Sequence, residues 1–149
     1  MCYNIKKGAT ISLQSRKGRR IMILGIGIDL CTTERVAGAI EKPRFLERCY
    51  TEAERRRIAA ASGKRRGEIA AGLFAAKEAV SKALGSGFSG FGPGDIEILP
   101  DALGRPVCQL RGGALARARA AGPYRLHVSV THESGTAAAV AVLESAQDP

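Results

Sequence analysis

The sequence predicts an α+β fold, helices mainly in the first half and an antiparallel sheet, on three observations. A segment that reads as a buried strand, MILGIGID, opens at Met22. Helical periodicity then dominates to Leu84, and four short β-type runs follow in two pairs, each pair closed by a turn.

In the opening strand Ile26 and Ile28 fall on one face, and Gly25, Gly27 and Asp29 on the other. The glycines leave room for something to approach the backbone. Thr32 or Thr33 is placed to cap a short helix running through Arg35 and Ile40, since a hydroxyl can accept from an unpaired amide of the first turn. Pro43 then admits a new turn holding Arg44 and Phe45. A second helix starts at Thr51, with Glu54 three residues on completing a capping box, and Gly63 ends it. The longest helix is expected from about Gly67 to Leu84, where Ile69, Leu73, Ala76, Val80 and Leu84 form one apolar stripe, and Gly85 stops it. DIEIL and VCQL, joined by the PDALGRP turn, make one hairpin; GGALARARAAG is a last helix; YRLHVSVTH and TAAAVAVLE make a second hairpin.

A chain of 149 residues suits a single domain, here assigned to residues 22–144. Residues 1–21 are basic and turn-rich and read as an N-terminal extension, either a disordered arm or the product of an upstream start codon; residues 145–149 read as a tail. No apolar run approaches the roughly 20 residues that cross a bilayer, so a soluble protein with no membrane partner is expected. Cys2, Cys31, Cys49 and Cys108 are widely spaced, without a C-x-x-C pair or a secretory signal, which suits reduced thiols in the cytoplasm.

Twenty-three Lys and Arg against fourteen Asp and Glu leave a net charge of +9, which favours an anionic partner. Nucleic acid is disfavoured, because there is no Trp and the few Tyr and Phe are scattered, whereas single-strand binders interleave stacking aromatics with their basic residues. A noncatalytic basic module, binding nucleic acid or an acidic protein, is the competing function class.

Lys77, Glu78, Ser81 and Lys82 spread across the helix face opposite the apolar stripe. On its own this is a solvated face with an i,i+4 ion pair between Glu78 and Lys82. Asp29 adds a second reading: a carboxylate ending an apolar, glycine-flanked strand must reach water, be paired or bind a cation. If Asp29 and Glu78 converge, they offer two hard oxygen donors of the kind Mg²⁺ takes together with waters and substrate phosphates, with Lys77 and Lys82 free to hold the phosphate oxygens. His132, read alone, is a strand-end histidine that hydrogen-bonds a loop; His127 lies on the opposite strand face, in a structural or solvent-facing role.

Four segments in this order, GIGIDLCTTERV, FAAKEAVSKALGSG, DIEILPDALGRP and HVSVTHESGTAAAVAVLE, closely resemble the holo-acyl-carrier-protein synthase family of 4′-phosphopantetheinyl transferases over about residues 22–144. The resemblance implies that family's fold, a homotrimer with sites between subunits, and transfer of 4′-phosphopantetheine from coenzyme A to a serine of an acidic acyl carrier protein. It implies Mg²⁺ on Asp29 and Glu78; phosphate contacts from Lys77, Ser81 and Lys82; Gly85 close to the nucleotide; acid or base work by His132, shared with Glu133; and carrier-protein contacts from Arg35, Arg44 and Phe45. Leu73 departs from the family, which usually carries Arg there, and this puts one charge contact near the nucleotide in doubt.

Overall fold

The computed structural model describes residues 12–14 and 20–146. Strand β1 (Ser12–Gln14) pairs with the start of β2 (Arg20–Thr32), which begins two residues before the expected Met22. The rest of the expectation for residues 1–21, and that for the end of the tail, lies outside the described residues. Three short helices follow, α1 (Thr33–Ala39), α2 (Pro43–Cys49) and α3 (Glu52–Ala59), and then the long α4 (Gly63–Ala83). A 3₁₀ turn at Pro93–Asp95 leads to the ribbon β3 (Ile96–Pro100) and β4 (Pro106–Leu110), to α5 (Gly112–Arg119), and to the closing hairpin β5 (Tyr124–Glu133) and β6 (Thr136–Ser145). The main sheet runs β1-β2-β6-β5, antiparallel throughout, and β3-β4 forms a separate antiparallel pair. Helix and antiparallel sheet are thus mixed as expected. Among the described residues no helix is long and apolar enough to cross a membrane.

The sheet buries one face on α4. Period-two alternation turns Ala137, Ala139, Ala141 and Leu143 of β6 inward, and Leu126, Val128 and Val130 of β5 pack beside them. On β2 the inward set is Gly25, Gly27, Asp29 and Cys31, so what approaches the glycine backbone is α4 itself. A Cβ on Gly27 would stand 1.8 Å from the Ala79 carbonyl oxygen, and one on Gly25 would stand 2.0 Å from that of Ala83. Helix and strand backbones touch. On the other face Ile26, Ile28 and Leu30 remain 57%, 61% and 63% exposed, with Val140 beside Ile28 through the β2–β6 register.

The stretch after Pro43, expected as a turn, is the helix α2, with the proline in its first turn where a missing N–H costs nothing, and two helix boundaries also differ from the sequence expectation. The Thr51–Glu54 capping box is present, with the Glu54 carboxylate accepting from Thr51 N–H at 2.8 Å. Yet α3 ends at Ala59, and Gly63 starts α4 instead of closing its predecessor. Gly67, the expected start of α4, is buried where α1 crosses, with Thr33 and Ala37 against it. Neither threonine caps α1 with its hydroxyl; the Thr33 N–H is taken by the Gly135 carbonyl of the β5–β6 turn at 2.7 Å, a tertiary partner that no local motif announces.

Gly27→Ala should destabilise the protein by about 3 kcal/mol or more in denaturant unfolding, because the added methyl meets backbone on a helix that cannot move away without opening the core. Ala at the open position Gly38, which has nothing within 4 Å of the added methyl, should cost far less and serves as the control.

Candidate active site

The β2–α4 contact sets Asp29, on the inward face of β2, beside the C-terminal half of α4, and both Asp29 and Glu78 line one cavity of about 490 Å³. Leu30, Arg35, Val36, Ala39, Phe45 and Phe74 complete its wall. Along the C-terminal half of α4 nearly every side chain is buried; Phe74, Glu78 and Lys82 form the i, i+4, i+8 line that opens outward. Lys82 Nζ donates to Asp29 Oδ1 at 2.8 Å and to the Ile28 carbonyl at 2.9 Å. The Glu78 carboxylate has no hydrogen-bond or ion-pair partner among the described residues. Burial first, and then the negative charge of Asp29, push its pKa above the usual carboxylate range, against the opposing pull of Lys82 and Arg35.

Two carboxylates facing one cavity, one of them unpartnered and repelled by the other, suit a divalent cation. Among the described residues no cluster of three or more Asp, Glu, His or Cys side chains is present, so an ion here would complete its shell with water and substrate oxygens. A hard divalent cation such as Mg²⁺ could be held in that way.

His132 is not among these residues. It lines a second cavity, of about 170 Å³, with Arg57, Arg65, Glu68 and Leu73, and Arg65 Nη1 lies 3.4 Å from its Nε2. Leu73, at the position of the family's Arg, is 4% exposed and belongs to the core while touching that cavity. Of the three residues expected to meet a carrier, Arg35 and Phe45 line the carboxylate cavity, and Arg44 shares with Phe45 an adjoining groove that also takes in Lys42 and Arg48. Sequence reading missed Phe74, which stacks on Phe45 with ring centroids 5.8 Å apart, and Arg48. The i,i+4 spacing of Phe74 and Glu78 was the available signal.

Residues 25–141 match the family model of the 4′-phosphopantetheinyl transferase superfamily. The holo-[acyl-carrier-protein] synthase of Solidesulfovibrio magneticus is 49% identical over 126 residues, covering 83% of this chain and 99% of its own, and that of Clostridium novyi is 46% identical over 124 residues, covering 83% and 88%. The chain belongs to the holo-[acyl-carrier-protein] synthase family. Among solved structures, the Bacillus anthracis synthase in complex with coenzyme A (3′,5′-ADP) superposes with a TM-score of 0.71 at 36% identity, over 83% of this chain and 98% of that one. The Helicobacter pylori synthase in complex with coenzyme A gives 0.67 at 31%, over 79% and 98%.

Three of the residues that the family resemblance assigned to phosphate or nucleotide do not line the carboxylate cavity. Lys77 points into the core, fully buried. Its Nζ pairs with the equally buried Glu54 Oε2 at 2.7 Å, donates to the carbonyls of Pro93 and Ile96, and sits over the Tyr50 ring. Burial pulls the pKa of Lys77 down, and Glu54 holds it up. The second Glu54 oxygen accepts from Ile98 N–H at 2.8 Å, so the pair ties α3, α4 and β3 together. Ser81 is also buried and donates to the Glu78 carbonyl at 2.8 Å, a local bond one turn back. Gly85 adopts φ +77° past the end of α4 and lines a groove with Leu24, Arg117 and Leu143. The expected four-residue polar face is therefore two faces: Lys77 and Ser81 inward, Glu78 and Lys82 outward. Periodicity measured along α4 missed this because a helix surrounded on most sides has little solvent face to display.

Lys77→Met should cost about 3–5 kcal/mol in denaturant unfolding, by leaving Glu54 charged and unpaired in the core, while Lys77→Met combined with Glu54→Gln should recover part of that loss. Equal loss in the single and double variants would show that the pair is not the source of the effect.

Proposed function

We propose that this chain transfers 4′-phosphopantetheine from coenzyme A to a serine hydroxyl of an apo-acyl carrier protein, in the cytoplasm, with residues 22–144 as the transferase unit. The observation that carries the reading is the convergence of Asp29 and Glu78 on one cavity in a chain of this family. The unpaired thiols Cys31, Cys49 and Cys108 suit a reducing compartment.

In the reaction the serine Oγ–P bond forms as the phosphoanhydride P–O bond of coenzyme A breaks; adenosine 3′,5′-bisphosphate leaves, and the serine proton passes to a base. Asp29 and Glu78 would hold Mg²⁺, which supplies charge neutralisation at a pyrophosphate. Lys82, half exposed and 2.8 Å from Asp29 of the cavity wall, has an ammonium that can turn to a phosphate oxygen. Phe45 and Phe74 give the cavity an apolar wall against which the pantetheine arm can lie, shielded from water. Arg35 stands within that cavity, and Arg44 and Arg48 border the groove beside it, so an acidic carrier approaching its mouth meets positive charge that speeds encounter and fixes orientation.

The working unit in this reading is a homotrimer. It is supported by the uncovered outer face of β2 and β6, where Ile26, Ile28, Leu30 and Val140 form an apolar patch of the sort that subunit interfaces bury. Base catalysis by His132 then belongs to a site assembled from two copies, since within one chain it lines a cavity apart from the carboxylates.

Incubation with coenzyme A, Mg²⁺ and an apo-carrier protein should raise the carrier mass by one phosphopantetheine; chelation should abolish the change, and Asp29→Asn or Glu78→Gln should slow it by roughly a hundredfold or more with unchanged circular dichroism. An unmodified carrier across several apo-carriers, or full activity in both variants, would overturn the assignment. Light scattering should give three times the chain mass, and Ile28→Glu should shift the protein towards single chains.

A further inference from the structure

We infer that Lys82 and a divalent cation are rivals for Asp29, and that this rivalry makes cation and pyrophosphate donor bind cooperatively; the inference rests on Asp29 and Glu78 being the cation's carboxylates. Lys82 lies one helical turn beyond Glu78, in the last turn of α4, and reaches back across the β2–α4 seam. Its ammonium is spoken for: it lies 2.8 Å from Asp29 Oδ1 and 2.9 Å from the Ile28 carbonyl. A dication held by Asp29 would stand a few ångströms from that ammonium, with like charges facing each other across a partly buried carboxylate.

The lysine is nevertheless free to leave. Its side chain is 48% exposed against 18% for Asp29, and its flexible four-carbon stem carries a compact charge that fits any oxyanion within reach. A pyrophosphate in the same cavity offers such an oxyanion with more charge than one carboxylate. Donor binding therefore draws Lys82 off Asp29 and removes the repulsion that opposes the cation. By thermodynamic linkage the cation must favour the donor by the same factor. Lys82 acts here as a positioning residue whose presence weakens the cation site in the free protein and strengthens it once the donor is in place. A lysine that only ties helix to strand would do the opposite: its removal would loosen Asp29 and leave cation affinity unchanged or lower.

The test uses Mn²⁺ as a paramagnetic probe on the full chain, counting free Mn²⁺ by electron spin resonance with and without coenzyme A, corrected for Mn²⁺ held by coenzyme A alone. No carrier protein is added, so no turnover occurs. Without coenzyme A, Lys82→Met should bind Mn²⁺ roughly three- to tenfold more tightly than the parent, and the enhancement that coenzyme A gives the parent should shrink by about the same factor. Lys82→Gln, which keeps polarity without charge, should behave alike and replaces Lys82→Met if circular dichroism shows that variant misfolded. Unchanged or weaker Mn²⁺ binding in the folded variant, with Asp29→Asn abolishing binding in the parent background, would overturn the rivalry while leaving the metal site standing. Mn²⁺ binding that is absent from the parent in both conditions, or that survives Asp29→Asn unchanged, would overturn the metal site and the rivalry together.

Discussion

The contact between β2 and α4 is the constraint on which the site depends. Only glycine at positions 25 and 27 lets strand backbone lie against the carbonyls of Ala79 and Ala83, and small buried residues of α4 and β6 continue the packing beside it. Closeness has a chemical result. With helix and strand backbones touching, an aspartate two residues beyond Gly27 and a glutamate one residue before Ala79 open onto a shared cavity; a wider spacing would part their short side chains. The same closeness lets Lys82 span from α4 to both Asp29 and the Ile28 carbonyl.

A second tie fixes how α4 is rotated. Lys77 is adjacent to Glu78 in sequence, about 100° round the helix, and its charge is neutralised in the core by Glu54, which also caps its own helix and receives an amide from β3. A charge this deep tolerates little rotation, because any turn of α4 would strip the ammonium of its carboxylate or of the Pro93 and Ile96 carbonyls. The residue that family resemblance places on phosphate thus holds its neighbour in position from behind. Buried ion pairs add little net stability, and what this one contributes is orientation.

The chemistry-bearing residues of a single chain are divided between two cavities. One holds the carboxylates, Arg35 and the aromatic wall; the other holds His132 with Arg57 and Arg65. The apolar outer face of the sheet and this division have a common explanation if neighbouring copies cover the face and bring unlike cavities together, which is the arrangement put forward above.

Legible in the sequence alone were the strand through MILGIGID, the long helix, the two hairpins and the Thr51–Glu54 capping box, because each rests on local periodicity or on turn chemistry, whereas the meeting of Asp29 and Glu78 on one cavity needed the fold. The sequence also separated the two faces of β2 correctly. Which of those faces is buried was a tertiary decision: the glycine face goes inward because a helix needs the room, and the isoleucines are left outside. The inward turn of Lys77, the loss of a side-chain cap at Thr33 to the Gly135 carbonyl, and the parting of His132 from the carboxylates were likewise decided by distant partners. A charged residue reads as solvent-facing until its counter-charge is known, and Glu54 lies twenty-three residues away from Lys77, on another helix.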